Sequence, residues 1–359
     1  MQNIINLDYI NKKEQELTHT FINSTHIKKY ILGINKFTKA IIKHIQVDGI
    51  IDDFTRVQSS KKKEILQIED IPKDAIILFT SFGSPLEVKN KLDSIGFVNF
   101  SYLAFYKYSN LNLPNPPFIV DFKDDFINNQ NRYQEIYDKL EDIKSKEIFT
   151  KIINFKISFD YDFMKGFTNN FKEQYFDKDI IPHIKNITFL DGGGYVGDTV
   201  PNIISYFYDY KKIYLIEPNI LHINIAKRDL KDIRDIEFIN CGLSNKKIEN
   251  QDNNLSQNNC NHNYQGENLN TIDNILDGAK IDFIKLDIEG AEQDAIEGAT
   301  YTIQTHSPIL AICIYHKAED WYKVPQKMLN INPNYKLYLR HYMEGIYETV
   351  LYFIPNKIL

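Results

Sequence analysis

From Ile187 to the C-terminus, short apolar segments alternate with segments of helical spacing. The apolar segments are typical of strands in length and composition, and they read ITFLD, KIYLIEP, IEFINCG, IDFIKLD and PILAICIYH. YKLYLRHY and ETVLYFIP then close the chain as two strands around a turn, MEGIY. This alternation predicts an α/β sheet of mainly parallel strands that ends in an antiparallel hairpin.

The first third of the chain repeats the alternation on a smaller scale. Strands are predicted at 28–34, 47–53 and 75–82 and in FVNFSYLAFY, with helical spacing in FTKAIIKHIQ and PLEVKNKLDSIG. A second, smaller parallel sheet is therefore expected. A chain of 359 residues is long for one hydrophobic core, which also favours two domains.

Between these regions the sequence is rich in Lys, Asp, Glu and aromatic residues and lacks strand alternation. It predicts a helical connector whose apolar face consists of Tyr133, Ile136, Tyr137, Leu140 and Ile143. We therefore predict a domain at 1–123, a connector at 124–185 and a second domain at 186–359.

Composition excludes several classes of protein. A net charge of -6 argues against a general nucleic-acid binder, and no apolar run has the length of a membrane span. The polar first residues predict no signal peptide, and the scattered Cys241, Cys260 and Cys313 predict neither a disulfide framework nor a metal site. A cytoplasmic protein with Cys313 as a core thiol is expected, with an exposed Asn-rich loop within 244–268.

The stretch FLDGGGYVGDT places glycines at the end of a predicted strand and the start of a helix. Ligands bind at this edge of an α/β sheet, and Gly193 and Gly197 allow a tight turn and close approach of a ligand. Asp191 precedes the glycines and Asp198 lies at the helix start. Carboxylates there disfavour a pyrophosphate and favour a ligand with a sulfonium and an ammonium group.

Two further strands end in acidic residues. Glu217, in IYLIEPN, is placed to accept hydrogen bonds from the ribose hydroxyls of either NAD or S-adenosylmethionine. Asp287, Glu289 and Glu292 lie within six residues after IDFIKL, and like charges so close together are unfavourable unless a cation, a metal ion or water relieves them. The alternative for these acids is a helix start stabilised by the macrodipole.

GGGYVGDT, IEPN, NCGLS, NTIDNIL and DFIKLDIEGAE, in this order, resemble the FkbM-type family of S-adenosylmethionine-dependent methyltransferases. EQYF before the glycine strand, YHKAEDWYKVP and LRHYMEGIYETVLY extend the resemblance to the C-terminus. One departure is Gly194-Tyr195, where the family often has Ala-Asn. The resemblance implies a class I methyltransferase fold, a Rossmann-like parallel sheet with an antiparallel last strand, next to the smaller N-terminal α/β domain.

The resemblance also implies O-methyl transfer to a sugar or glycan precursor, as in surface polysaccharide biosynthesis. S-adenosyl-L-methionine would be the cofactor, with Asp191, Gly193, Gly197 and Asp198 at its methionine end and Glu217 on its ribose. Asp287 would face the methyl group. The partners expected are the methyl donor and a carbohydrate acceptor, and a second copy of the chain is a further candidate.

A sugar hydroxyl is a poor nucleophile, so a general base is expected. His316, with an ordinary pKa near 6.5, is one candidate and His341 is a second, and Asp287 and Glu289 could serve as the base or bind a divalent metal ion. Tyr195 and His341 are candidate contacts of the acceptor. No set of residues has a clear metal-ligand spacing, so no metal ion is predicted.

The N-terminal domain resembles a truncated nucleotide-binding half-fold. Gly33 is followed by Asn35 and Thr38 where a dinucleotide site needs glycines, so dinucleotide binding is predicted to be lost and a role in dimerisation or acceptor recognition is expected. Gly83, in TSFGSP, could form an anion-binding turn. The alternative function is an NAD-linked oxidoreductase of sugar metabolism, which the broken glycine pattern and the closing hairpin disfavour. A non-catalytic scaffold is a further alternative, against which the acids at the strand ends argue.

Overall fold

The computed structural model describes residues 1, 4–52, 65–248 and 268–356. The chain forms two compact units. Unit 1 consists of Met1–Asp124, Phe149–Asn169 and Met343–Tyr347, and unit 2 of Asp125–Ile148, Asn170–Tyr342 and Glu348–Leu359. The segment predicted as a connector is thus divided between the two units.

Unit 1 contains a five-stranded sheet in the order β3-β2-β1-β4-β5, in which every neighbouring pair is parallel. This confirms the predicted small parallel sheet. The strands are β1 (Lys29–Leu32), β2 (Gly49–Ile51), β3 (Ile65–Leu66), β4 (Ile76–Phe79) and β5 (Val98–Ser101). The helices are α1 (Lys12–Asn23), α2 (Lys36–Ile41), α3 (Pro85–Ser94) and α4 (Tyr102–Tyr108), with a 3-10 turn at Ile68–Asp70.

Only the first part of the predicted strand FVNFSYLAFY forms a strand, and the second part is helical. β5 ends at Ser101, whose Oγ accepts a hydrogen bond from the Ala104 amide at 3.1 Å and so caps α4. The rings of Phe100 and Phe105 then pack against Phe21 of α1 in the core. Asp53, at the end of another predicted strand, lies outside the described residues.

Two longer helices, α5 (Phe122–Lys139) and α6 (Ile143–Ser158), follow, with a 3-10 turn at Tyr161–Met164. On the predicted apolar face Tyr133, Ile136 and Leu140 are buried. Ile143 is 76% exposed, so its assignment to that face was wrong. The reason is that α5 ends at Lys139, so that Ile143 begins a new helix instead of continuing the old one.

Unit 2 contains a seven-stranded sheet in the order β13-β14-β12-β11-β6-β7-β8. β14 is antiparallel to both of its neighbours, and the remaining pairs are parallel. These strands are β6 (Thr188–Gly192), β7 (Lys212–Ile216), β8 (Ile236–Ile239), β11 (Phe283–Leu286), β12 (Ile309–Cys313), β13 (Tyr335–His341) and β14 (Thr349–Pro355). A two-stranded sheet pairs β9 (Gly242–Leu243) with β10 (Leu269–Asn270).

The helices of this unit are α7 (Val200–Tyr206), α8 (Ile220–Asp229), α9 (Ile272–Leu276), α10 (Glu292–Glu297), α11 (Thr300–His306) and α12 (Asp320–Ile331). After Asp287 the chain thus forms two helices, α10 and α11, which are separated at Gly298 and Ala299. A Cβ on Gly298 would lie 2.1 Å from the carbonyl oxygen of Ser244, so close packing of backbone accompanies the break.

No helix in the described part of the chain is long and apolar enough to cross a membrane. Cys313 is a buried free thiol in β12, which confirms its predicted place in the core, and Cys241 is also buried and free. Cys260 and the greater part of the predicted Asn-rich loop lie outside the described residues.

Candidate active site

A cavity of about 670 Å³ opens at the carboxyl ends of the parallel strands of unit 2. Its size is that of a small-molecule site, and ligands bind at this edge in α/β sheets. Five carboxyl side chains line it, from Asp198, Glu217, Asp287, Glu289 and Glu348. The excess of acidic groups favours a ligand that carries positive charge.

The glycine turn after β6 forms part of the cavity wall. The amides of Gly193 and Gly194 both donate to the Ile216 carbonyl, at 3.0 and 2.9 Å. Gly193 has φ +76°, and a Cβ there would lie 1.9 Å from the carbonyl oxygen of Asp287. Glycine is therefore required at this position so that the ends of β6 and β11 can approach each other.

Gly197 has a different task from the predicted contact with a ligand. It does not line the cavity, and a Cβ there would lie 2.5 Å from Leu230. Its φ of +84° closes the turn before α7, where its amide donates to the Gly194 carbonyl at 2.7 Å. Asp198, one residue later, does line the cavity.

Asp191 lies behind the cavity wall and is fully buried. Its carboxylate is 2.9 Å from the Nζ of Lys285, which also donates to the Gly193 carbonyl at 2.9 Å. Burial raises the pKa of Asp191, and Lys285 opposes that change. Burial lowers the pKa of Lys285, but Asp191 and Asp287 outweigh it and the net change is upward. We treat the pair as ionised because the two groups are in direct contact. Lys285 therefore joins β6, the glycine turn and β11.

Glu217 follows β7 and is held in a fixed orientation. Its Oε2 accepts from the Tyr195 amide at 3.1 Å, and its Oε1 accepts from the Asn219 amide at 3.0 Å. Nδ1 of His222 lies 3.1 Å from the same Oε1. Two backbone donors leave further lone pairs on the carboxylate, so Glu217 can still accept hydrogen bonds from a ligand in the cavity.

Asp287 follows β11 and is surrounded by donors and positive charges. The hydroxyl of Tyr175 donates to its Oδ2 at 2.9 Å, and that of Tyr315 donates to its Oδ1 at 3.1 Å. Burial opposes the charged form, but Lys285, His316 and these two hydroxyls outweigh it, so the pKa of Asp287 lies below its ordinary value. The carboxylate is thus stabilised in its ionised form.

His316 is buried beside the cavity and is not part of its lining. Its Nδ1 lies 3.0 Å from Glu292 Oε1, and its Nε2 lies 3.5 Å from Asp287 and 3.8 Å from Glu289. Burial lowers its pKa, but Glu292, Asp287 and Glu289 outweigh it and raise the pKa to about 9. This corrects the expectation of a pKa near 6.5, because an imidazolium at neutral pH cannot accept a proton.

Glu289 lines the cavity with a side chain that is 62% exposed, and its backbone has φ +55°. Burial of part of the carboxyl group raises its pKa, and His316 opposes that change. Glu292 points away from the cavity: its Oε1 accepts from the Ile288 amide at 3.0 Å and faces His316. The three acids of the DIEGAE segment thus differ in environment, and His316 relieves their repulsion.

Of the two candidate acceptor contacts, only one lies in the cavity. Tyr195 lines it, is 51% exposed and packs edge-on against His222 with ring centroids 4.4 Å apart. His341 is buried in the β13–β14 pairing, where its Nδ1 lies 2.9 Å from the Thr349 hydroxyl. The structure therefore does not place His341 where it would contact an acceptor in this cavity.

The cavity residues that sequence reasoning missed include Tyr175, Lys285, Tyr315 and Glu348. A lysine in the otherwise apolar strand IDFIKLD was a usable signal, because a buried ammonium needs a carboxylate partner. Tyr175 and Glu348 gave no such signal, since they are distant in sequence from the glycine turn and reach the cavity only through the tertiary fold.

Two sets of three described residues bring possible metal-donor atoms within 4.8 Å of one another, and both contain Asp287. The first adds Glu292 and His316, and the second adds Cys313 and Glu348. His316 and Glu292 already neutralise each other, and burial raises the pKa of the Cys313 thiol well above its ordinary value. The expectation that no metal ion is bound stays a prediction.

The glycine turn of unit 1 is filled by its own side chains. The Asn35 amide donates to the Thr80 carbonyl and hydroxyl, at 3.2 and 3.0 Å, and its Oδ1 accepts from the Phe37 and Thr38 amides at the start of α2. The Thr38 hydroxyl donates to the Gly33 carbonyl at 2.6 Å. Two amides at the helix start, where a pyrophosphate would bind, are therefore already satisfied by Asn35.

The turn at Gly83 is also occupied by a group of unit 1. The carboxylate of Glu344 accepts from the Glu87 amide in the first turn of α3 at 2.9 Å. Asn169 donates to the Gly83 carbonyl and to the Ser84 hydroxyl, each at 2.9 Å. The protein's own carboxylate thus lies where the expected external anion would bind.

The sheet of unit 2, with its antiparallel strand between β12 and β13 and its cavity at the carboxyl edge, is the fold of a class I methyltransferase. Residues 191–337 match the family described as the methyltransferase FkbM domain. The match to this family applies to residues 191–337 of the chain.

Over its whole length the chain is similar to the crystal structure of methyltransferase FkbM from Methylobacillus flagellatus KT, with a TM-score of 0.76, 22% sequence identity and coverage of 96% of this chain and 94% of that chain. A more distant structure is Aeropyrum pernix fibrillarin in complex with natively bound S-adenosyl-L-methionine (TM-score 0.34, 11% identity, 48% of this chain and 69% of that chain). No curated protein sequence matches the chain.

Proposed function

We propose that the protein transfers a methyl group from S-adenosyl-L-methionine to a hydroxyl group of a sugar or glycan precursor. The observation that carries the proposal is the acidic cavity of unit 2, in which a glycine turn lies between the carboxylates of Glu217 and Asp287. The match to the FkbM domain supports methyl transfer. The carbohydrate acceptor and the transfer to oxygen are parts of the proposal that go beyond this match.

The residues of the cavity fit the proposed cofactor. Glu217, oriented by two backbone amides, would accept hydrogen bonds from the ribose hydroxyls. The Gly193 turn provides a wall without a Cβ, and Asp198 supplies negative charge for the ammonium group. Asp191 would act indirectly, through Lys285, by holding the turn in place. When bound, the cofactor supplies an electrophilic methyl group.

Asp287 would stabilise the positive charge near the reacting centre. Its two tyrosine hydroxyl donors and its lowered pKa keep it ionised and fixed in orientation. A preorganised charge of this kind needs no rearrangement during the reaction. His316, as an imidazolium cation, would orient Asp287. Tyr195 provides an exposed ring on which a sugar face can pack.

The surroundings of Gly33 disfavour the alternative of an NAD-linked oxidoreductase. Asn35, Thr38 and Thr80 fill the place of the pyrophosphate with hydrogen bonds that opening the turn would break. We therefore assign no dinucleotide site to unit 1.

Thermal melting with S-adenosylhomocysteine and with NAD separates the two functions, because a ligand that binds the native state raises the melting temperature. A rise with S-adenosylhomocysteine and none with NAD is expected; the reverse result would favour the oxidoreductase. Transfer of labelled methyl groups to a panel of free sugars, nucleotide sugars and polysaccharides then tests the acceptor class. Label appearing only in peptide or nucleic acid controls would contradict the carbohydrate proposal.

A further inference from the structure

We propose that Glu348 is the general base that accepts the proton of the acceptor hydroxyl. This inference rests on the proposed function, because it names the catalytic group of the same site. It differs from the expectations drawn from the sequence, in which Asp287, Glu289, His316 and His341 were the candidates.

The geometry places Glu348 beside Asp287, the residue proposed to lie near the reacting centre. Glu348 immediately precedes β14 and lines the same cavity as Asp287. A carboxylate oxygen of each lies within 4.8 Å of the other and of the Cys313 thiol. The side-chain amide of Gln174 donates both to Glu348 Oε2 and to the hydroxyl of Tyr175. A buried amide thus fixes the direction in which the carboxylate points.

Two carboxylates this close are not both ionised without a large electrostatic penalty. Asp287 keeps its charge because two tyrosine hydroxyls, Lys285 and His316 stabilise it. Within the described part of the chain, the direct donor to the Glu348 carboxylate is the neutral side-chain amide of Gln174. Burial and the charge of Asp287 raise the pKa of Glu348 to about 7, against the opposing effects of Gln174, Lys285 and His316.

A general base works best when its pKa lies near the operating pH, and a neighbouring pair with divergent pKa values is the usual sign of one.

The other charged or titratable groups that face Glu348 come from β11, from β12 and the residues after it, and from the segment that contains Gln174. Lys285 lies within β11 and Asp287 follows it. Cys313 ends β12, and Tyr315 and His316 follow that strand. Tyr175 lies next to Gln174 in the chain.

The other candidate bases are less suitable. Asp287 is a weaker base, because its pKa is lowered, and His316 is already protonated at neutral pH. Glu289 has a raised pKa, but its side chain is 62% exposed and its nearest charged partner is His316. Glu348 combines a raised pKa with a half-buried position at the cavity wall.

In the proposed step the acceptor oxygen attacks the methyl carbon as its proton passes to a carboxylate oxygen of Glu348. The bond between the methyl carbon and sulfur breaks, and its electron pair stays on sulfur as a neutral thioether. The products are a methyl ether, S-adenosylhomocysteine and protonated Glu348. The carboxyl group then releases its proton to water.

Carbon-13 NMR of protein labelled at the glutamate carboxyl carbon tests the inference without an acceptor. With S-adenosylhomocysteine present, a resonance that titrates well above the ordinary glutamate range should be absent from Glu348→Gln. The pKa of Glu14, which burial raises to about 8, predicts a second such resonance, and this one should remain in Glu348→Gln. The matched control is Glu173→Gln, an exposed residue next to Gln174, which should keep both resonances. If the Glu348 resonance titrates below pH 5, the inference is wrong.

Turnover provides the second measurement, with neutral methyl glycosides as acceptors. Glu348→Gln should lower the rate about 10²- to 10⁴-fold, the usual effect of losing a general base. Its S-adenosylhomocysteine affinity should stay within about threefold of the wild-type value, and Glu348→Asp should retain part of the activity. Glu289→Gln should have a smaller effect on the rate.

The outcomes separate this inference from the proposed function. Failure of the wild-type protein to bind S-adenosylhomocysteine would contradict the proposed function. Normal binding with full turnover in Glu348→Gln would contradict only the role of Glu348. Loss of turnover on adding EDTA, restored by Mg²⁺, would make Glu348 a metal ligand and would also overturn the inference.

Discussion

Gly33 and Gly193 occupy equivalent places in two parallel sheets, yet their surroundings are opposite in kind. Each follows a strand that pairs with two parallel neighbours, and each amide donates to the end of one neighbour, Gly33 to Ile51 at 2.9 Å and Gly193 to Ile216 at 3.0 Å. The first residue after the other neighbour is Thr80 in unit 1 and Asp287 in unit 2.

The difference lies in what fills the space beside the turn. In unit 1, short polar side chains bond to one another and to the amides of Phe37 and Thr38 at the helix start. In unit 2, the equivalent space is the cavity, and the carboxylates of Glu217 and Asp287, which line it, are held by hydrogen-bond donors. The same backbone plan therefore serves as a closed structural turn in one unit and as a candidate ligand site in the other.

Replacing Asp287 by Asn should give the largest effect. Turnover should fall about 10³-fold, because a preorganised charge at the reacting centre is lost. The melting temperature should change little, because Lys285 would still pair with Asp191 and His316 would still pair with Glu292. The matched change in unit 1 is Thr80→Val, which should leave turnover unaltered. Near-normal methyl transfer by Asp287→Asn would remove this residue from the site.

Alanine substitutions at the two glycines compare the turns directly. Gly193→Ala should abolish binding of S-adenosylhomocysteine, measured by calorimetry, because the new Cβ would meet the Asp287 backbone at 1.9 Å. Gly33→Ala should destabilise the protein by about 1–3 kcal/mol, because φ is +107° and the Cβ would meet Thr80, yet binding should survive. Equal loss of binding in both variants would contradict the comparison.

The raised pKa of His316 predicts a pH dependence of stability. A histidine whose folded pKa is about 9 and whose unfolded pKa is about 6.5 stabilises the protein fully below pH 6.5, and this stabilisation is lost as the pH rises through 9. The free energy of unfolding should therefore fall by roughly 1–3 kcal/mol between these limits. His316→Gln should flatten this dependence in denaturant titrations; an unchanged slope would mean that His316 is neutral in the folded protein.

The two asparagine caps should give the smallest effects and the finest test of the comparison. Asn35 caps α2 and Asn219 caps α8, each by accepting hydrogen bonds from amides at the helix start. Either residue changed to Ala should cost about 1 kcal/mol of stability, measured by denaturant unfolding. Only Asn219→Ala should also weaken binding of S-adenosylhomocysteine, because Asn219 lines the cavity beside Glu217. Weaker binding in Asn35→Ala would connect the two turns.

The sequence predicted much of the fold because the alternation of strands and helices is a local pattern. The parallel sheet of unit 1, the antiparallel last strand and the chain order of the seven strands in the larger sheet of unit 2 followed from it. The errors lie at boundaries between elements. FVNFSYLAFY becomes helical after Ser101, which caps α4, and Ile143 begins the new helix α6 instead of continuing α5.

For the candidate site, the sequence identified the residues that lie directly after strands, because parallel strands bring their carboxyl ends to one edge. Gly193, Glu217 and Asp287 reach the cavity wall for this reason. His316 also follows a strand, but its raised pKa depends on three carboxylates around it, which periodicity cannot show. The buried environment of His341 likewise depends on its pairing with Thr349.

What the sequence determined by itself is the backbone plan, since propensity and periodicity act between residues that are close along the chain. The tertiary structure alone decided which glycine turn is open and which is filled, and it alone brought Tyr175, Asp287 and Glu348 together from three distant segments. The physical reason is that electrostatic and hydrogen-bond energies depend on distances in space, which only the folded chain sets.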